Sequence, residues 1–91
     1  MPDTSPMTDQ PRVVEVHLFA AARAAAEGIS VLTVEPGTLG DVLAEAVRRA
    51  PGLASVLPRC SVLVDSVAGH DQGIHVAAGS RVDVLPPFAG G

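Results

Sequence analysis

Arg81-Val82-Asp83-Val84-Leu85-Pro86-Pro87-Phe88-Ala89-Gly90-Gly91 closes the sequence, and its reading decides the fold. Arg81 to Leu85 alternates charged and aliphatic residues, the period of a half-buried strand. Pro86 and Pro87 fix φ and offer no N–H to a ladder, so the strand ends there and an extended, stiff segment begins. Phe88, Ala89, Gly90 and Gly91 then form a slim arm whose glycines let backbone pass through a narrow space. A frayed glycine end is the plain alternative for Gly90-Gly91. For Pro86-Pro87-Phe88 the alternative is a strand terminator followed by a core phenylalanine.

Upstream, Val14, Val16 and Leu18 alternate with Glu15, His17 and Phe19, which predicts a first strand with one aliphatic face. The alanine-rich Ala20–Gly28 predicts one or two helical turns stopped by Gly28. Ile29 to Val34 reads as a second strand, ended by Glu35-Pro36-Gly37. Thr38 caps the main helix, with Asp41 suited to its positive end. Val42, Leu43, Ala46, Val47 and Ala50 form its apolar stripe, and Pro51-Gly52 stops it. Leu53 to Leu57 adds a short turn. A third strand is expected from Cys60 to Val67, a polar loop at 69–73, and a brief edge strand at Ile74-His75-Val76. This order predicts an α+β domain, a mixed sheet with one main helix packed on one face. A right-handed crossover sets the last strand beside the first and parallel to it.

Ninety-one residues support one small domain, and 47% apolar with 18% charged residues argues for a folded core. Residues 1–11, with three prolines and two aspartates, read as a disordered leader. The domain proper is expected over 12–85 and the tail over 86–91. The core must be aliphatic, because Phe19 and Phe88 are the two aromatics. A net charge of −4 with six arginines and no lysine argues against nucleic-acid or anionic-membrane partners. No apolar run approaches the roughly 20 residues of a bilayer span, and residues 1–6 lack signal-peptide character. A cytoplasmic location is the expectation.

His17, His70 and His75 fit no zinc spacing and Cys60 supplies a single thiol, so no metal site is expected. Cys60 reads as a small buried residue. Asp65 and Asp71 read as loop or strand-edge polar residues. Arg23 suits a partner carboxylate, or a surface or capping role.

Two segments carry a resemblance. Val16-His17-Leu18-Phe19-Ala20-Ala21-Ala22-Arg23 is similar to a strand running into Phe-Ala-x-x-Arg. Gly79 to Gly91 resembles a closing strand followed by Pro-Pro-x-x-Gly-Gly. Both are features of the small subunits of molybdopterin synthase, among the ubiquitin-like β-grasp sulfur carriers (MoaD/ThiS). The resemblance implies the β-grasp fold, with a sheet of four to five strands and a flexible C-terminal tail.

It further implies that Gly91 is adenylated by an activating enzyme that uses ATP, and becomes a thiocarboxylate. That thiocarboxylate donates sulfur to the molybdopterin dithiolene in molybdenum cofactor biosynthesis. Pro86, Pro87, Phe88, Ala89, Gly90 and Arg23 are then partner-binding residues. The implied partners are a large catalytic subunit, in a heterotetramer, and a sulfurtransferase besides the activating enzyme. The chain itself is expected to bind no cofactor and to act as a sulfur-donor subunit rather than as an enzyme alone. Sulfur carriage for thiamine, cysteine or another metabolite is the alternative, as is modification of proteins through Gly91. A plain binding module with an incidental tail is the remaining one.

Overall fold

A five-stranded mixed sheet and one long helix organise the computed structural model, which describes residues 12–69 and 71–87. The expected leader 1–11, His70 and Phe88 to Gly91 lie outside the described residues. Strand β1 (Val14–Leu18) is followed by helix α1 (Ala20–Ala25), β2 (Val31–Val34) and a two-residue β3 (Gly37–Thr38). Helix α2 (Leu39–Arg49) comes next, then two 3-10 turns at Pro51–Ser55 and Leu57–Arg59. Strands β4 (Ser61–Val64), β5 (Val67–Ala68), β6 (His75–Val76) and β7 (Arg81–Leu85) complete the order.

The main sheet runs β2-β1-β7-β4-β5, and β3 and β6 form a separate two-stranded sheet. β7 lies parallel to β1, with Val16 opposite Val82 and Leu18 opposite Val84. It is antiparallel to β4, with Ser61 opposite Leu85 and Val64 opposite Val82. The crossover that the element order predicts is therefore present, and the fold is the β-grasp. Alternation puts Val14, Val16, Val82 and Val84 on the helix side, and none has any exposed surface. Burying a valine or leucine fully stabilises the fold by about 1.5–3 kcal/mol, so these central strands hold the sheet to the helix.

Helix α2 starts where the sequence places it. Thr38 Oγ1 accepts from the Asp41 backbone N–H at 3.1 Å, and Asp41 Oδ2 accepts from the Thr38 N–H at 3.2 Å, a closed capping box. The loop leading into β6 satisfies two further helix-end donors: Leu39 N–H reaches the Ile74 carbonyl and Gly40 N–H the Gln72 carbonyl, both at 2.8 Å. Val42, Leu43, Ala46 and Ala50 are buried as predicted, but Val47 is only half-buried.

Three sequence expectations need correction. β2 begins at Val31, two residues later than expected, because Glu27 (φ 59°) and Gly28 (φ 92°) turn the chain out of α1. The single strand expected over Cys60–Val67 is a hairpin, β4 and β5 joined at Asp65-Ser66. Both turn residues adopt positive φ, 50° and 72°, the backbone of the two-residue turns that match strand twist. Asp65 is also more than loop polarity: its N–H donates to the Arg81 carbonyl at 2.8 Å, and its Oδ1 accepts from the Arg81 N–H at 2.9 Å. The hairpin tip is thereby strapped to the start of β7.

Candidate functional site

The expected working end is the tail, and the sheet settles where it leaves the body. β7 is flanked on both sides, by β1 and β4, so the tail departs from an interior strand of the sheet. Pro86 is half-buried and Pro87 exposed. Phe88, Ala89, Gly90 and Gly91 fall outside the described residues.

Arg23 is exposed on α1. Because β1 and β7 are parallel, α1 begins at the end of the sheet from which the tail departs. The Phe19 N–H extends the ladder there by donating to the Val84 carbonyl at 3.3 Å. Phe19 also accepts from the Ala22 N–H at 2.9 Å, while Ala20 takes a left-handed φ of 50°. That conformation costs an L-residue roughly 1–2 kcal/mol, and it folds α1 sharply off the strand. Arg23 and the tail base thus share one end of the sheet.

The outer sheet face carries a cluster that sequence reasoning did not single out. Glu15 lies opposite Arg81, and His17 opposite Asp83. His17 Nε2 and Glu15 Oε1 are 2.9 Å apart, and Arg81 Nε donates to Asp83 Oδ1 at 2.6 Å. Val31 and Leu63 flank these polar residues in neighbouring strands. The signal was present in the polar half of the two alternating strands; it showed only once their register was known.

On the opposite side, a groove of about 800 Å³ runs between α2 and β4. Leu43, Val47, Leu57, Cys60 and Val62 are among its lining residues. Cys60 is half-buried, not fully buried as the sequence suggested. Its Sγ donates to the Val56 carbonyl at 3.2 Å, and burial pushes the thiol pKa up, away from nucleophilic thiolate.

Glu45 also has a marked shift. Arg48 and Arg49 both donate to its carboxylate and hold its pKa down at about 2. Arg49 Nη1 also donates to the Thr33 carbonyl at 2.7 Å, tying α2 to the edge strand β2. This cluster is an outward-facing brace between helix and sheet. Among the described residues, no three His, Cys, Asp or Glu side chains converge on a metal-sized space, and no helix is long and apolar enough to cross a membrane.

Comparisons with known proteins agree with this geometry. The ThiS family model matches residues 16–91. The structure of small archaeal modifier protein 1 from Haloferax volcanii superposes with a TM-score of 0.78 at 29% identity, covering 87% of this chain and 99% of that one. The complex of subunits 1 and 2 of molybdopterin-converting factor from Helicobacter pylori gives 0.66 at 20% identity, over 87% and 99%. The BexX/CysO complex of Amycolatopsis orientalis gives 0.74 at 19% identity, over 86% and 99%. At those last two identities the likeness is one of fold. No curated protein sequence matches the chain. A β-grasp body, a Pro-Pro-x-x-Gly-Gly tail on its central strand and a family match spanning both lead to one conclusion: the chain belongs to the ThiS family of ubiquitin-like sulfur carriers.

Proposed function

We propose that this chain is the sulfur-carrying small subunit of a molybdopterin synthase, with Gly91 as its reacting residue. The observation that carries the reading is the position of Leu85-Pro86-Pro87, which sends the diglycine tail off the doubly flanked β7. A carboxylate is a poor electrophile. ATP, held by an activating enzyme, converts it to a mixed anhydride with AMP as pyrophosphate leaves. Sulfur at the sulfide level, delivered by a sulfurtransferase, then displaces AMP and leaves a thiocarboxylate. Within a large catalytic subunit that sulfur passes to the pterin precursor, and the carboxylate returns. The stiff Pro86-Pro87 base limits the entropy lost on threading. Phe88 anchors the arm in the partner, Arg23 meets a partner carboxylate at the same end, and the Glu15–Asp83 face docks the body.

The assembly is a heterotetramer, two carriers flanking a dimer of large subunits. In support, the H. pylori neighbour is a complex of subunits 1 and 2 of its molybdopterin-converting factor. The second reading, protein modification through Gly91, draws on the likeness to a small archaeal modifier protein. The absence of lysine stops self-chains on this chain's own lysines under that reading. A carrier for another sulfur metabolite is the third.

Intact mass after incubation with ATP, an activating enzyme and a sulfur donor tests the shared chemistry. Exchange of one carboxyl oxygen for sulfur, by way of the activated acyl group, leaves the chain about 16 Da heavier than its free carboxylate form, and an unchanged mass sinks the proposal. Molybdopterin formed only with a molybdopterin-synthase large subunit selects the first reading. Adducts on other proteins that persist in denaturing gels select the second.

A further inference from the structure

Among the described residues, the main sheet ends in β5 on one side and in β2 on the other. An open edge invites a further strand, and proteins blunt it by shortness, bulges, proline or charge. β5 is blunted by its length of two residues. β2 is not. Val31-Leu32-Thr33-Val34 holds no charge and no proline, and its register with β1 runs without a bulge. Val31, Thr33 and Val34 are β-branched, a type that suits strand pairing.

The ladder shows which backbone groups face outward. Leu18 N–H donates to the Ser30 carbonyl at 2.8 Å, so alternation turns the backbone of Leu32 and Val34 to β1 as well. Val31 and Thr33 turn theirs to the open edge. There the Thr33 carbonyl is taken: Arg49 Nη1, from the last turn of α2, donates to it at 2.7 Å. Glu45, one helical turn back, accepts from Nε of the same guanidinium at 2.8 Å. One arm of the fork is anchored on its own helix and the other lies over the edge. A second copy pairing antiparallel about Leu32 would set its Thr33 against Val31, and the Thr33 carbonyl would then have to accept a strand N–H. The guanidinium occupies the acceptor which that pairing needs.

We propose that Arg49, anchored by Glu45, is an edge guard that keeps β2 from pairing with a second copy of this chain. The brace then serves to keep the chain monomeric as well as to hold helix to sheet. The inference rests on strand register and on the two bonds of one guanidinium, and is independent of whether Gly91 carries sulfur.

Sedimentation equilibrium of the full-length chain tests it. The unsubstituted chain is expected to stay monomeric. Arg49→Met, at an exposed helix position, is expected to self-associate at least about tenfold more tightly, as when a charge-assisted hydrogen bond no longer competes. In that dimer the Val31 and Thr33 amides should exchange more slowly than on dilution. Adding Thr33→Pro removes an outward N–H without touching the ladder to β1, and should restore the monomer. Glu45→Gln leaves Arg49 without its anchor and should shift association the same way by a smaller factor, a second arm should Arg49→Met fail to fold. Either variant staying as monomeric as the unsubstituted chain overturns the proposal. So does a dimer that survives Thr33→Pro, a dimer whose Val31 and Thr33 amides are unprotected, or an unsubstituted chain already paired through β2. None of these outcomes bears on the mass-gain experiment.

Discussion

The two halves of the sheet use the same side chain to different effect. On the β1–β7 half, Val14, Val16, Val82 and Val84 have no exposed surface. On the β4–β5 half, Val62 and Val64 are half-buried and Val67 is 68% exposed. Strand propensity and pattern barely distinguish these valines; the helix does. α2 covers the parallel pair and leaves a gap toward β4, lined among the described residues by aliphatic side chains such as Leu43, Val47 and Val62. The aliphatic core closes one half and leaves the other as a groove.

That contrast breaks most readily in the dense half. Leu18, 1% exposed and opposite Val84, is expected to lose about 3 kcal/mol or more on replacement by alanine, read by denaturant unfolding. A loss below that of an average surface substitution would mean this half is not tightly packed. Next is Gly52→Ala. A Cβ there would lie 2.2 Å from the Ala25 carbonyl oxygen, a backbone atom, so α1 and the turn after α2 must separate. About 2 kcal/mol of destabilisation is expected, with a lowered Tm as the check.

The loose half should respond with the opposite sign. Val47→Phe puts volume into the groove and is expected to raise stability by about 0.5–1 kcal/mol, as cavity-filling changes do. Destabilisation by that variant would show the groove to be less open than its lining implies. The smallest effect concerns the brace between α2 and β2. Glu45 has its pKa lowered from 4.5 to about 2 by Arg48 and Arg49, so its stabilising pairing is present above the unfolded value. It is lost as pH falls through the folded one. Glu45→Gln should flatten the Tm-versus-pH curve between those two values and leave the curve above them nearly parallel. Equal acid sensitivity in both proteins would deny the brace any role.

Much of this was legible in advance, and the exceptions have physical causes. Alternation at Val14–Leu18 and Arg81–Leu85, the Thr38 cap and the Pro51-Gly52 stop all depend on neighbours in the chain, and each is found where expected. Asp65-Ser66 escaped because neither residue is the asparagine or glycine that usually signals left-handed turn backbone. The pull that holds Asp65 there comes from Arg81, sixteen residues away. β3 escaped because two residues have no period to read. The charged outer face escaped because Glu15 and Arg81 become neighbours only through strand register. Of the candidate site, Pro86, Pro87 and Arg23 were read from sequence and share one end of the sheet, whereas the groove required the three-dimensional gap between α2 and β4.

The parallel course of β1 and β7 has a mechanical consequence. β1's chain-entry end and β7's exit end lie at opposite ends of their shared ladder. A tug on the exit end, opposed at the entry end, therefore loads the ladder in shear, straining all its bonds together instead of peeling them singly. The arm can be drawn hard into a tight passage while the strand that bears it stays seated.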